Sequence, residues 1–369
     1  MFHCPTLKKN WRPPHCPNPN CIYHRELQAD WCYKKIGFYC RVQAPRRIQR
    51  FTCLHCRRSF SSQTFSTTYW QKLPGLDPTI FMKTVGGMAN RQIARDVGVA
   101  PETVNRHISR LGRHCLLLHA RLMEGAPPAT EIVVDGFESF ELSQYYPFHH
   151  QVAVEKGTDF FIYHTDSELR RKGRMTPYQK KRRLELERNH GRPDPKAIEK
   201  DMRHLLETVL PVGQSARIYS DDHPGYRRPI RGLPPSVEHL VTPGRERRDP
   251  NNSLWEVNLL DLMIRHSSAN HRRETIAWSK RRQRSAERLT ILLVWRNYMK
   301  GRREKVRGSP TPAMERGIMA RPMDLEEVLS GREFRSRTEL PSRWSEYYAS
   351  TVITRGLARN RTHELSYAN

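Results

Sequence analysis

What this 369-residue sequence lacks narrows it before any motif is read. No run approaches the roughly 18–20 consecutive apolar residues of a membrane-spanning helix, which excludes a helical membrane protein and membrane partners. The opening residues, MFHCPTLKKN, have no apolar core of the kind an export signal needs, so a cytoplasmic chain is expected. Negative charge is scarce: 38 Asp and Glu face 64 Lys and Arg, a formal net charge of +26 spread along the whole chain. That balance argues for a polyanionic partner. Cysteine is sparse too, eight in a chain this long, which is no disulfide scaffold. Seven of the eight fall within residues 1–70, and in a reducing compartment such crowding points to metal binding.

Within that cysteine-rich segment two turns stand out, Cys16-Pro-Asn-Pro-Asn-Cys21 and Cys53-Leu-His-Cys56. A zinc ribbon needs two such knuckles, because four thiolates close a tetrahedron around Zn²⁺. Residues 31–50 supply the strands between them. The C-x₄-C spacing is wider than the common C-x₂-C, and Cys4, Cys32, Cys40, His15 and His55 stand close enough in sequence to substitute. The expected ligands are Cys16, Cys21, Cys53 and Cys56, holding a structural zinc in a ribbon over residues 1–70. A core this small could hardly form without a metal.

Residues 71–126 turn helical, and ANRQIARDVGVAPETVNRHISRL at 89–111 has the pattern of a helix-turn-helix. Ile93, Ala94 and Val97 share one face of a short helix, Gly98 allows the turn, and Pro101 opens the next helix where a missing N–H is harmless. Val104 and Ile108 repeat at i, i+4 as its buried side. Glu102, Thr103, Asn105 and Arg106 are then the exposed candidates for contact with double-stranded DNA. A proline-bearing linker, 124–130, follows.

From residue 130 the character changes again. EIVVDGFESF begins with a β-branched run too short for a helix and delivers Asp135 straight after it. A carboxylate on a core strand is costly unless paired, hydrogen-bonded or bound to metal. A second strand of the same design, 217–220, ends in Asp221 and Asp222. Between them come strands at 149–155 and 159–165, a charged helical insertion at about 167–202, and a helix at 197–210. A short strand at 237–241 and helices at 252–267 and 283–298 complete the series. This order predicts an α/β, RNase H-like mixed sheet over 130–300, preceded by the small ribbon and the all-α helix-turn-helix. In such a sheet two strand-end carboxylates and a third from a later helix can hold two Mg²⁺ or Mn²⁺ ions about 3.5–4 Å apart for phosphoryl transfer. Asp135 and Asp221 are the first two. Glu287, on a helix face continued by Ile291, Val294 and Tyr298, is the expected third, with Glu274 its competitor and Asp222 the alternative to Asp221.

FTCLHCRRSFSSQT, VVDGFESF, YSDDHPGYRRPI and HRRETIAWSKRRQRSAERLTILLVWRNYMK together resemble the DDE transposases of bacterial insertion sequences that begin with a zinc ribbon and a helix-turn-helix. The tail SPTPAMERGIMARPMDLEEVL is similar to the end of such enzymes. The family's Ser/Thr-Asp-x-x-Pro-x-Tyr form implies Asp221 rather than Asp222 on the metal, and the later region implies Glu287. The resemblance implies a nucleoid-associated, homo-oligomeric enzyme that binds terminal inverted repeats, nicks the element's ends and joins the 3′-hydroxyls to target DNA. Arg247, Arg248, Arg272, Arg273, Lys280 and Arg281 are placed in sequence to meet backbone phosphates, and Arg272 and Arg273 are the preferred pair. His223 follows the second acid. Residues 301–369 read as a basic, partly disordered tail with a short helix at 324–329. The competing readings are a non-catalytic DNA-binding regulator, or decayed copy, and an RNase H-like nuclease or resolvase.

Overall fold

The protein is described by a computed structural model that covers residues 11–25, 30–360 and 362. Cys4 lies outside these residues. β1 (Tyr33–Cys40), β2 (Arg47–Cys53) and β3 (Ser59–Ser61) pair antiparallel into a small sheet. Its core is aromatic: Phe51 stacks on Phe60 at 5.5 Å, and Trp11 and Phe65 close around them. So few residues make a thin core, and Cys16, Cys21 and Cys53 are buried within it.

α1 (Asp77–Val85), α2 (Asn90–Asp96) and α3 (Pro101–Met123) follow. α2 and α3 form the expected helix–turn–helix pair, with Gly98 at φ +68° in the turn and Pro101 in the first turn of α3. Ile93, Val104 and Ile108 are buried as the spacing requires. α3 does not stop after one recognition-helix length. It runs 23 residues and packs against a later helix, Arg282–Val294, of the larger unit that follows.

That unit is built on β4 (Glu131–Phe140), β5 (Pro147–Glu155), β6 (Phe161–Glu168), β7 (Ala216–Asp221) and β8 (Val237–Thr242). The sheet order is β6-β5-β4-β7-β8; β4, β6, β7 and β8 run parallel and β5 alone is reversed. This is the RNase H-like arrangement the element order predicts. Ile132, Val133, Val134, Val152 and Ile218 are buried in its centre, so β4 and β5 read as near-continuous apolar runs. The helices are α4 (Pro177–His190), α5 (Ala197–Val209), α6 (Pro224–Arg231), α7 (Trp255–Ser267) and α8 (Arg282–Val294), the last extended by a wider turn at Trp295–Met299. α4 is the charged insertion, and none of its side chains is buried.

The C-terminal segment departs from expectation. Instead of a loose tail, residues 301–360 fold back through α9 (Pro312–Glu315), α10 (Leu325–Val328) and α11 (Ser342–Ala349). Its arginines are neutralised inside the fold: Arg343 joins Arg282 of α8 on Asp166, each at 2.7 Å, and Arg355 reaches Glu168. Phe334 joins the ribbon's aromatic core, while Trp344 and Tyr347 cover β6 residue His164. The segment straps ribbon, helix–turn–helix and sheet together. Among the described residues no helix is long and apolar enough to cross a membrane.

Candidate active site and metal centre

β4 and β7 are parallel with Val133 opposite Tyr219, so two residues on, Asp135 comes beside Asp221. Side chains alternate with period two, which puts both carboxylates on the same face as those partners. β4 does not turn at Gly136; it runs on to Phe140 against β5. The third acid of the group is Asp261, carried by α7, which packs against β4 and β5. Burial, then the charges of Asp261 and Asp221, raise the Asp135 carboxyl to about 7. Burial likewise raises Asp261 to about 6, against the pull of Arg265, Arg248 and Arg273. Three carboxylates neighbour one another here, and burial outweighs the arginines around them. One oxygen of Asp261, Oδ1, is buried with no hydrogen-bond partner among the described residues.

Tyr226 explains the tyrosine of the Ser-Asp-x-x-Pro-x-Tyr run. It is 1% exposed, its hydroxyl shares a 2.9 Å hydrogen bond with His149 Nε2, and burial, then the charges of Asp135, Asp221 and Asp261 beside it, hold its phenol well above the ordinary range. Gly136 is required by this contact, because a Cβ there would lie 2.1 Å from His149 Nε2. Asp221 Oδ1 accepts from the His223 N–H at 3.0 Å, and the His223 ring lies 5.0 Å from that of Tyr226. Asp222 is exposed and directed toward Gly244, away from the group.

Glu287, the expected third acid, is not brought to this group. It is fully buried on α8, where its carboxylate accepts from Ser109 at 2.9 Å, from Gln283 at 3.1 Å and from Arg284 at 2.7 Å. The apolar spacing that singled it out belongs to a helix buried nearly all round, and the Glu287 position faces α3. The approach there is so close that a Cβ on Gly112 would meet Glu287 Cβ at 2.7 Å. Glu274 is exposed at φ +55° in the loop between α7 and α8. Asp261 was missed because it lies in an ordinary-looking apolar helix. The available signal was an acid on the inward stripe formed by Val257, Leu260 and Ile264, in the helix that follows the fifth strand.

The residues chosen for DNA contact divide. Glu102, Asn105 and Arg272 line one groove between the helix–turn–helix and the five-stranded unit. Thr103 is half-buried, and Arg106 is exposed with a 3.7 Å ion pair to Glu102. Arg273 turns the other way and acts on Asp261, as does Arg248.

In the ribbon, Cys16, Cys21, Cys53 and Cys56 present sulfurs that all lie within 4.8 Å of one another. Cys16 and Cys56 are 3.6 Å apart and Cys21 and Cys53 4.0 Å, spacings that suit a tetrahedral thiolate site. The Trp31 indole N–H donates to Cys53 Sγ at 3.3 Å, an outer contact that fixes a ligand. Cys32 and Cys40 are exposed and stand apart, His15 bonds the Cys16 carbonyl, and His55 packs on Tyr23. The four cysteines can therefore hold a metal ion. Among the described residues no carboxylate group is drawn as tight as this one.

No protein-family model matches the sequence. The backbone is similar to that of the piggyBac transposase in a synaptic complex with hairpin DNA, at 9% identity over 75% of this chain and 70% of that one, with a TM-score of 0.34. It is also similar to a chain of the simian T-cell lymphotropic virus intasome complexed with the PP2A regulatory subunit B56 gamma (12% identity, 68% and 76% covered, TM-score 0.27). A third similarity is to the catalytic domain of the Mos1 mariner transposase (11% identity, 51% and 89% covered, TM-score 0.20). At these scores the likenesses carry no weight for function, which rests on the chain's own sheet order and carboxylates.

Proposed function

We propose that this chain is a transposase of the DDE type, with Asp135, Asp221 and Asp261 as its metal-binding carboxylates. The observation that carries the reading is the convergence of these three acids at the first and fourth strands of an RNase H-like sheet. The donor set fits Mg²⁺ or Mn²⁺: it is all oxygen, mutually repelling, and includes an unpartnered Asp261 oxygen. Bound there, such ions would lower the pKa of an attacking water or 3′-hydroxyl and stabilise the leaving oxygen. Tyr226, fixed by His149, stands beside the carboxylates, and Arg248 and Arg273 bring positive charge to the mouth where a phosphodiester would enter. The helix–turn–helix, with Glu102, Thr103, Asn105 and Arg106, reads the element's terminal repeats in double-stranded DNA. The ribbon carries a structural zinc on Cys16, Cys21, Cys53 and Cys56. Two ends must meet, so a homo-oligomer is the working form.

The test is cleavage and strand transfer in Mg²⁺ on DNA carrying the ends that flank the chain's own coding sequence. The expected result is joined product from the native protein and a loss of at least about 100-fold from Asp135→Asn, Asp221→Asn and Asp261→Asn. End binding without cleavage would instead mark a DNA-binding regulator or a decayed copy. Undiminished activity in Asp261→Asn would overturn the assignment of the third carboxylate.

A further inference from the structure

The groove between the helix–turn–helix and the catalytic unit has a volume near 1140 Å³. That exceeds the roughly 300–1,000 Å³ of small-molecule pockets, so its size suits a stretch of polymer. Arg91 and Arg95 of α2 stand on one wall; Arg272, Lys280 and Arg284 stand on the other. Among the described lining residues Glu102 is the single carboxylate. Burial, and then the Arg91 charge reaching across, draw the Lys280 ammonium below the ordinary lysine range. Lys280 is also aimed: its Nζ sits 3.9 Å over the Trp278 ring, and the Trp278 indole N–H is fixed to the Leu142 carbonyl at 3.1 Å. Two exposed cations from separate units thus converge across a gap, an arrangement that costs energy unless an anion lies between them. The loop carrying Lys280 also carries Arg273, which acts on Asp261, so groove and carboxylates share one element.

We propose that this groove clamps the phosphodiester backbone of duplex DNA, with Arg91 and Lys280 gripping one stretch of backbone from opposite walls. The inference rests on the reading of the chain as a DNA-acting enzyme. It gives a positioning role to a pair of residues from two different units, so that DNA held by α3 is delivered to the carboxylates in a fixed register.

Phosphate contacts are sequence-independent, so the probe is a mixed-sequence duplex titrated by fluorescence anisotropy over a range of salt. Each phosphate contact contributes about 0.9 to the slope of log affinity against log salt. The Arg91→Gln/Lys280→Gln double variant should lose about 1–2 from that slope, with an unchanged melting temperature. Lys305→Gln/Arg307→Gln, which removes two exposed charges outside the groove, should keep the native slope. A native slope in the groove variant, an equal loss in the control, or preference for a single-stranded oligonucleotide over the duplex overturns the proposal. A slope lost in the groove variant while the native protein cleaves nothing in any metal supports the clamp and sinks the catalytic reading. No duplex binding by the native protein overturns both.

Discussion

Asp261 and Glu287 are both acids on late helices with apolar neighbours, yet their surroundings give them opposite tasks. Asp261 has an oxygen without a partner and two other carboxylates beside it. Glu287 has both oxygens bonded, Oε1 by Ser109, Gln283 and Arg284 and Oε2 by Arg284, and sits where α3 and α8 touch. An acid whose two oxygens are both already bonded by protein, one of them by a guanidinium, is poorly placed to serve a metal, whereas an orphaned buried oxygen is tolerated where a ligand completes it. Glu287→Gln should therefore keep metal-dependent cleavage while destabilising the fold by about 1–3 kcal/mol, as Arg284 loses its charged acceptor in a buried setting. Urea unfolding alongside a cleavage assay checks both halves. Loss of cleavage at native stability would return Glu287 to the active site.

At the scale of elements, two segments make opposite claims on stability. α4 buries no side chain and is held at its edges by surface pairs such as Arg170–Glu187 and Arg183–Glu187. Replacing residues 175–191 with a short flexible linker should lower stability by only about 1–2 kcal/mol, because α4 buries no apolar side chain and is held by partly exposed ion pairs. A large fall in the unfolding midpoint would show α4 packed in solution. The ribbon is the reverse case, an aromatic core too thin to stand without its thiolate-bound ion. Chelation should release one zinc per chain and lower the unfolding midpoint. Since Phe334 sits in that core, the disturbance should reach the C-terminal strap, read as new protease cleavage near residue 334. An unchanged midpoint after full metal release would count against a structural ion.

Periodicity made much of this legible in advance. The strands at β4 and β7, the α2–α3 pair and the four knuckle cysteines each carry a local signal, in burial period, turn residue or spacing, and the structure has them where that signal lies. What stayed hidden depends on partners remote in sequence. Asp261 is distinguished from any helical acid only by its meeting with β4 and β7. The strap at 301–360 looks disordered because its basic residues are visible and the acids that neutralise them, buried Asp166 and half-buried Glu168, lie more than a hundred residues away.

Across the whole molecule, the interior holds an unusual number of neutral histidines. His150 bonds Ser285 at 2.9 Å, His164 bonds Thr290, His119 bonds the Tyr298 hydroxyl, and His271 packs against Phe137. Burial is the first cause in each case, and it lowers His119 and His149 to about 3 and His150 to about 4, with His164 and His271 also lowered. A histidine whose folded pKa is depressed stays neutral in the native state while the unfolded chain takes up a proton below about 6.5. Stability is therefore full above that pH and falls as pH drops through it toward the folded values, by up to about 1.4 kcal/mol per pH unit for each group. Asp135 and Asp261 act with the opposite sign in metal-free protein. Their folded pKa values are raised, so acidification below about 7 restores stability and offsets two of the histidines. His15, His24, His114, His204 and His239 are lowered as well, and Asp201, Glu141 and Glu333 are raised, so among the described residues ten lowered histidines outweigh five raised carboxylates and the net expectation is a midpoint that falls between pH 7 and pH 5. His119→Gln should remove close to one proton from that dependence, measured as the change in unfolding free energy with pH in urea titrations. A variant with the native pH slope would mean that His119 is already protonated in the folded protein, which its bonds to the Tyr298 hydroxyl and the Ile162 carbonyl would then have to stabilise against burial.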